Sequence, residues 1–391
     1  MANVRGPLGC ASDYQAQIVW RENGRVFGSP VLDGVTDVGW SRSLNDVSEA
    51  TVTIARQGND PACCGILGEV TPWVHELLIL RDGVRVWEGP VIKVTEGRSE
   101  IVLEAKDVFA YLDRCKNTFK MRYVEATPDE EGRRRGQVTW IAEHILHLNL
   151  ELSSLSQPPD YPRIMEYIVR RDSSKVIKYE KDGSSNTSVW AEYVGNILRA
   201  LNKRGLHWTT VGRTLYLIAG LSENDPPLAR LGLDDILGDL QVITDGNALA
   251  TASWAHDQDQ QDISKGRAVG TGYFGTAYGR VDLITRVDEE EPDEEDLREA
   301  ARSALAGRYP IPWAISMPEN SQLHPDTPLD VNDLVCGERV DVSTQGMCTE
   351  LLQPFRISDV EGTWSQKTGE KIAITLVPPN ALSGDTPAPG D

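Results

Sequence analysis

Trp87-Glu88-Gly89-Pro90-Val91-Ile92-Lys93-Val94 turns through a polar loop into Ser99-Glu100-Ile101-Val102-Leu103-Glu104. Apolar and polar side chains alternate along the second arm, the period of a half-buried strand. A weaker echo lies far downstream: Gln353-Pro354-Phe355-Arg356-Ile357-Ser358-Asp359-Val360, then Gly369-Glu370-Lys371-Ile372-Ala373-Ile374-Thr375-Leu376. Each copy offers a Pro-led strand, a polar turn and a Glu-led alternating strand. Duplication and convergent hairpin grammar both account for the likeness.

The same period extends upstream. Ala16, Ile18 and Trp20 alternate with polar neighbours before Asn23-Gly24, a tight-turn pair. His75–Leu80 runs into the turn Arg81-Asp82-Gly83 and returns through Val84–Trp87. Residues 13–118 therefore read as a small sandwich or barrel. It closes on a short helix near Asp107–Leu112 with Asp107 as N-cap. Trp87 is expected as a half-buried anchor at a strand end, with Gly89-Pro90 bending or ending the ladder where proline cannot donate.

Beyond 118 the period changes. Ile141, Ile145 and Leu148 keep helical spacing, as do Val194, Ile197, Leu198 and Leu201. A hairpin follows at Gly205–Ile218, turning at Val211-Gly212-Arg213. Residues 119–235 thus form a middle α+β domain. The β pattern resumes over 236–377, with strands expected at Asp239–Thr244, Asp333–Val335, Arg339–Val342, Pro354–Val360 and Lys371–Val377. Asp245-Gly246-Asn247 supplies a turn, and a helical insertion is expected at about 292–307. Residues 1–12 form an N-terminal arm and 378–391 a polar tail.

The 391 residues carry 39 Lys+Arg against 59 Asp+Glu, a net charge of −20, which argues against a surface built to grip nucleic acid or anionic lipid. No apolar run reaches the ~18–20 residues that span a bilayer. Met1–Pro7 lacks the apolar core of a secretion signal, so folding in a cytoplasm is expected. Six cysteines are too few for a disulfide scaffold at this length, and without a CxxC there is no zinc ribbon. Cys336 and Cys348 can face each other across a hairpin, as a bridge or as reduced, packed thiols.

Chemical motifs are weak. Gly270-Thr271-Gly272-Tyr273-Phe274-Gly275 spells GxGxxG, but a strand pattern follows where a dinucleotide site needs a helix. His144 and His147, beside Glu143, have helical spacing for metal ligation but no second Glu/His pair. The acidic run Asp288–Asp296 suits a solvated helix start better than a calcium loop. Arg133-Arg134-Arg135 sits beside Asp129, Glu130 and Glu131, a poor nucleic-acid patch. No nucleophile motif occurs and nothing selects a carboxylate pair. Neither an enzyme nor a cofactor or metal site is expected.

Trp73-Val74-His75-Glu76-Leu77, Leu80-Arg81-Asp82-Gly83, Trp87-Glu88-Gly89-Pro90 and Ala105-Lys106-Asp107 with Tyr111-Leu112-Asp113-Arg114 together carry a resemblance. It continues through Gly205-Leu206-His207-Trp208-Thr209-Thr210-Val211-Gly212-Arg213 and Asp245-Gly246-Asn247. The chain resembles the tail-hub minor tail proteins of siphoviruses, particularly those of actinobacterial phages. The resemblance implies a structural virion protein, mainly β with an α+β insertion, carrying two related β-barrel tube domains. It implies a homotrimer at the distal tail tip, assembled in the host cytoplasm. Such a hub joins the tail tube and distal tail protein to other minor tail or receptor-binding proteins. It surrounds a channel for tape measure protein and DNA, with DNA only in transit and no membrane anchor. Trp73, Trp87, Gly89, Pro90, Asp107, Asp245 and Gly246 are the family-like structural positions. The alternatives are a tail-associated cell-wall hydrolase and a carbohydrate-binding tail module.

Overall fold

The computed structural model describes residues 8–29, 31–56, 61–117, 134–151, 166–170, 176–179, 192–202, 205–219, 221, 225–244, 246–247, 249–256, 266–269, 279–286, 294–305, 313–318 and 320–378. They fall into two compact units. The first lies within Met1–Gly238, Pro318–Ser343 and Pro354–Ala388, and the second within Asp239–Met317 and Thr344–Gln353.

The first unit opens with β1 (Tyr14–Trp20), β2 (Val35–Ser43), β3 (Glu49–Ala55), the helix α1 (Pro61–Gly68), β4 (His75–Arg81), β5 (Val84–Glu96) and β6 (Glu100–Lys106). These strands lie side by side in the order β1-β4-β5-β6-β3-β2, antiparallel throughout. Ala16, Ile18, Val52, Ile54, Leu77, Ile79 and Leu103 fill the core they share. Gly89-Pro90 does not end the strand: β5 runs unbroken through it. What ends there is the ladder with β4, whose last pair is Glu76 with Pro90; pairing with β6 starts at Val91. Trp87 is correspondingly mid-strand and buried rather than half-buried at an end.

A 3₁₀-helix (Val108–Arg114) follows, capped by Asp107. Next come β7 (Arg134–Gln137), α2 (Val138–Leu146) passing into a single π-turn, β8 (Glu166–Arg170), β9 (Val176–Tyr179), α3 (Val194–Asn202), β10 (Leu206–Val211) and β11 (Thr214–Ala219). Arg134 and Arg135 pair with Tyr179 and Lys178 in β7 and β9. β10 and β11 form a hairpin, and β8 adds to β11 in parallel. One apolar cluster joins the 3₁₀-helix, α2, α3 and the hairpin; Phe109, Ile141, Leu198, Trp208 and Leu217 belong to it.

Two short strands, β12 (Ala229–Leu231) and β13 (Ile236–Leu237), then lead into the second unit. It contains β14 (Gln241–Thr244), β15 (Ala252–His256), β16 (Gly266–Val269), β17 (Asp282–Arg286), α4 (Glu294–Leu305) and β18 (Trp313–Ser316). β14 pairs with β18, while β15 lies between β16 and β17. Leu297 and Ala301 of α4 pack on Ala255. The Gly270–Gly275 motif and residues 288–293 of the acidic run lie outside the described residues.

The first unit resumes with β19 (Ser321–Leu323), β20 (Arg339–Ser343), β21 (Leu352–Ser365) and β22 (Gly369–Val377). Val331–Asp333 is a 3₁₀ turn, not the start of the expected strand, because the Asp330 carboxylate accepts the Asn332 N–H at 2.8 Å and caps it. These strands lie in the order β12-β20-β21-β22-β19-β13. In chain order that is the pattern of β1-β4-β5-β6-β3-β2 over again. The bulges agree too: the β5·β6 register skips between Val91 and Lys93, and β21·β22 skips between Ile357 and Asp359. One difference is that β12 joins β20 in parallel, whereas β1 joins β4 antiparallel.

The two sets are not separate. β2 pairs with β21 from Asp37/Ser365 to Ser43/Asp359, making one sheet that ends at β1 and β13 without closing among the described residues. Buried ions lock this junction. The Arg42 guanidinium, 1% exposed, donates to Val331 O at 2.7 Å, Leu334 O at 3.0 Å and Val86 O at 2.9 Å, and burial pulls it down to about 10. Glu370 of β22 accepts two bonds from Arg81 at 2.7 Å and one from the Tyr14 hydroxyl at 2.7 Å. Cys336 and Cys348 are free thiols, one buried and one exposed; burial pushes Cys336 up to about 12.

The junction is also tight. A Cβ on Gly362 would lie 2.1 Å from the Trp40 ring across the ladder, whereas one on Gly39 meets nothing within 4 Å. Gly362→Ala is expected to cost about 1–3 kcal/mol in urea unfolding through overpacking, and Gly39→Ala well under half of that. Equal effects would contradict the close fit.

Candidate functional site

Alternation divides the side chains of β4 and β5 between two faces. Leu77, Ile79, Trp87 and Gly89 share one, by the pairs Leu77/Gly89 and Ile79/Trp87; Glu76, Leu78, Glu88 and Pro90 share the other. Such a second face is ordinarily wet. Here it is covered by the 3₁₀-helix and the β10–β11 hairpin, leaving Glu76 and Glu88 at 0% and 1% exposure.

Two buried carboxylates require cations and donors. Arg213, in the hairpin turn, donates to both Glu76 oxygens at 2.8 Å and lies 3.4 Å from Glu88. Arg85 donates to Glu88 at 2.7 Å, and the Tyr111 hydroxyl donates to Glu76 at 2.7 Å. Burial pushes the Arg213 guanidinium down, but the Glu76 and Glu88 charges outweigh it and leave it raised. Burial, then the adjacent Glu76, drives the Tyr111 phenol upward. The two carboxylates are thus neutralised by two arginines, the signature of a structural ion cluster rather than of an acid–base pair poised for hydrolysis.

Asp107 forms the second knot. Its Oδ2 accepts the Ser48 N–H at 2.8 Å, the Ser48 hydroxyl at 2.7 Å and the Thr210 hydroxyl at 2.8 Å, while Oδ1 accepts the Phe109 N–H at 2.9 Å. Burial raises its pKa, and these four donors pull it back. Between the knots Phe109 stacks on Trp208, ring centres 3.5 Å apart and planes 5° from parallel. Asn45, at φ 64°, accepts the Trp208 N–H at 3.0 Å and pins the hairpin's near end. Arg199 on α3 grips Asp113 with two bonds, at 2.5 and 2.8 Å.

Five of the seven sequence-selected positions meet here. Trp73 takes a left-handed φ of 66°, donates its N–H to Val91 O at 2.9 Å, and packs its ring against Tyr111 and under Arg114. Trp87 lies in the core behind. Gly89 is where the chain crosses itself: an added Cβ would lie 1.9 Å from Lys106 O. Pro90 ends the β4 ladder, and Asp107 is the knot above. Gly246 belongs to the second unit and is exposed, and Asp245 lies outside the described residues. Sequence reading missed Glu76, Glu88 and Arg213 as partners, although all three stand inside the quoted motifs. Their signal is a charge within an otherwise apolar motif.

Among the described residues no group of three or more His, Cys, Asp or Glu is placed to hold a metal, and no helix is long and apolar enough to cross a membrane. His144 stacks on Trp140, ring centres 5.2 Å apart.

Arg213→Met strands Glu76 and is expected to cost about 3–5 kcal/mol of unfolding free energy. A catalytic cluster would respond the other way, with stability unchanged or raised. His75 gives a pH test. It sits between Trp20 and Phe27, ring centres 4.4 and 4.3 Å away, accepts the Thr71 N–H at Nδ1, and burial lowers its pKa below 6.5. Its stabilising contribution is therefore complete above the unfolded value and lost as pH falls toward the folded one. Melting curves from about pH 7.5 to 5 should show wild type losing more stability than His75→Phe. Equal slopes would contradict a buried neutral imidazole.

No family model and no curated protein matches the chain. Solved structures do. A tail protein from Neisseria meningitidis aligns at TM-score 0.52 and 14% identity, over 95% of this chain and 98% of that one. The 43 kDa tail protein of prophage MuSo2 from Shewanella oneidensis aligns at 0.54 and 16%, over 95% and 100%. The half-lidded Francisella PdpA-VgrG complex aligns at 0.50 and 7%, over 98% of this chain and 61% of that longer one. The mainly β fold of this chain is similar to the folds of these two tail proteins.

Proposed function

We propose that the protein is a structural component of a phage tail: a homotrimeric tail-tip hub, of the kind found in siphoviruses of actinobacteria. The observation that carries this reading is the end-to-end match to two tail proteins, covering 95% of this chain and nearly all of each of them. The doubled strand order supports it. Two like sets per chain, three chains to a ring, give six similar units that dock on a six-fold tube. In this reading residues 13–118 and 236–377 are the two barrel-type tube domains, 119–235 the middle α+β domain, 1–12 an arm and 378–391 a tail. The hub joins the tail tube and distal tail protein to tip and receptor-binding proteins, and it encloses the path of tape measure protein and DNA. A net charge of −20 suits a wall that a polyanion must pass without sticking.

A hydrolase reading is weakened by the Glu76–Arg213–Glu88 cluster, whose charges are spent on one another. A sugar-binding reading is weakened because Trp40, Trp87 and Trp208 lie in the core, out of reach of a ligand. Trp73, Trp87, Gly89, Pro90, Asp107, Asp245 and Gly246 are assigned structural roles only, and neither a cofactor nor catalysis is assigned.

Averaged electron images of tail tips, with copies counted, test the proposal. Three copies around an axial channel are expected; one copy, or six on peripheral fibres, would overturn it.

A further inference from the structure

Within the second unit, β17 (Asp282–Arg286) is five residues long and pairs in parallel with β15 along one side. Among the described residues no strand pairs along its other side. α4 lies chiefly over β16 and β15. Alternation sets Leu283 and Thr285, both half-buried, on the α4 face, level with Ser253 and Ala255 of β15. Asp282, Ile284 and Arg286 project from the opposite face, and all three are exposed. At 64%, Ile284 is the most exposed large apolar side chain among the described residues. It continues a row. Ile284 is level with Trp254 of β15, and Trp254 with Arg267 of β16, whose guanidinium lies 4.9 Å from the indole centre. The row crosses the sheet and stops, uncovered, at the edge of β17.

Acid, apolar residue and base thus alternate along an open edge. We infer that β17 of one copy pairs antiparallel with β17 of a second copy, centred on Ile284, joining two three-stranded sheets into one of six. Asp282 of each copy then lies opposite Arg286 of the other, and the two Ile284 side chains meet. Opposite charges and apolar side chains across a ladder attract, and like charges repel. Shifting the centre by one residue either way sets Ile284 against Asp282 or Arg286, and parallel pairing in register sets like charges side by side. Asp282 already accepts the Trp254 Nε1–H at 3.1 Å and the Arg280 Nε–H at 2.6 Å, which fixes its carboxylate and leaves it acceptor capacity. The occupant is therefore a second copy, the strand whose charges complement this edge in register. The contact is isologous and stops at a pair. Five residues a side bury less than a permanent dimer needs, so the association is reversible. It covers an edge that otherwise invites aggregation of the free chain. Being two-fold and confined to the second unit, it is independent of the three-chain hub reading.

A cross-link tests the register. The full-length chain, with the exposed Cys10 and Cys348 changed to Ser, carries Ile284→Cys; the same chain with Ile284 kept is the control. Directly opposite residues have Cα atoms about 4.5–5.5 Å apart, within reach of a disulfide. Mild oxidation is expected to give covalent dimer above the control, and ultracentrifugation of the control a monomer–dimer equilibrium. Adding Arg286→Glu sets Glu against Asp282 at both ends and should weaken the dimer roughly tenfold or more, as should Asp282→Lys, which sets Lys against Arg286. Mixing the two charge variants restores opposite charges at both pairs. The link should return as a heterodimer by mass, which also shows both variants folded. No link above the control, a link indifferent to Arg286→Glu, or self-association without the link overturns the inference. So does a mixture that links no better than either variant alone. If Asp282→Lys fails to fold, the Ile284→Cys link and its loss with Arg286→Glu decide the matter. Three copies in tail tips without this link leave the hub reading standing.

Discussion

The structure depends on a buried carboxylate. Asp107 is buried, and an ion in that position is tolerable only when donors replace the solvent it has lost. Four do so, from the loop before β3, from the 3₁₀-helix that Asp107 caps, and from β10 about a hundred residues away. Each donor fixes the segment that carries it. Phe109 and Trp208 stack beside this knot, and Arg213 is delivered between Glu76 and Glu88 at the far end of the same hairpin. The sequence polar, aromatic, polar runs along a single seam, and it attaches the middle of the chain to a sheet face that would otherwise be wet.

The second organising feature is repetition without identity. Both strand sets use one order and one bulge position, yet they are joined by a direct ladder and by Arg42 and Glu370, which reach across it. A chain built this way presents two similar strand sets held in a fixed relation. The buried ion clusters fit a structural role better than they fit chemistry. Their charges are mutually satisfied, and moving either partner leaves the other unpaired in the interior.

Much of this was legible in the sequence. Alternation and turn residues placed β4, β5, β6 and the β10–β11 hairpin, because period two and Asp-Gly or Val-Gly-Arg turns are local signals. Asp107 was legible as a cap for the same reason. Local signals could not reveal where β5 changes partner, since alternation reports faces and not neighbours. Nor could they reveal that the face carrying Glu76 and Glu88 is interior, since only the hairpin more than a hundred residues later makes it so. The Asp333 stretch, expected as strand, is a 3₁₀ turn because the Asp330 carboxylate caps it. α1 went unread because Cys63-Cys64-Gly65 shows no helical period. The four residues of Trp-Glu-Gly-Pro each proved to have a separate physical reason: a core ring, a buried ion, a backbone crossing and the end of a ladder.

The central claim is that these motif residues form a structural seam and not a site that opens to work. Native-state hydrogen exchange of the Ser48 and Phe109 amides, the two that donate to Asp107, tests it most directly. The seam predicts that both exchange only through global unfolding, with the same free energy as the core amides of Trp208 and Leu217. Exchange of either through a local opening, well ahead of those core amides, would contradict it.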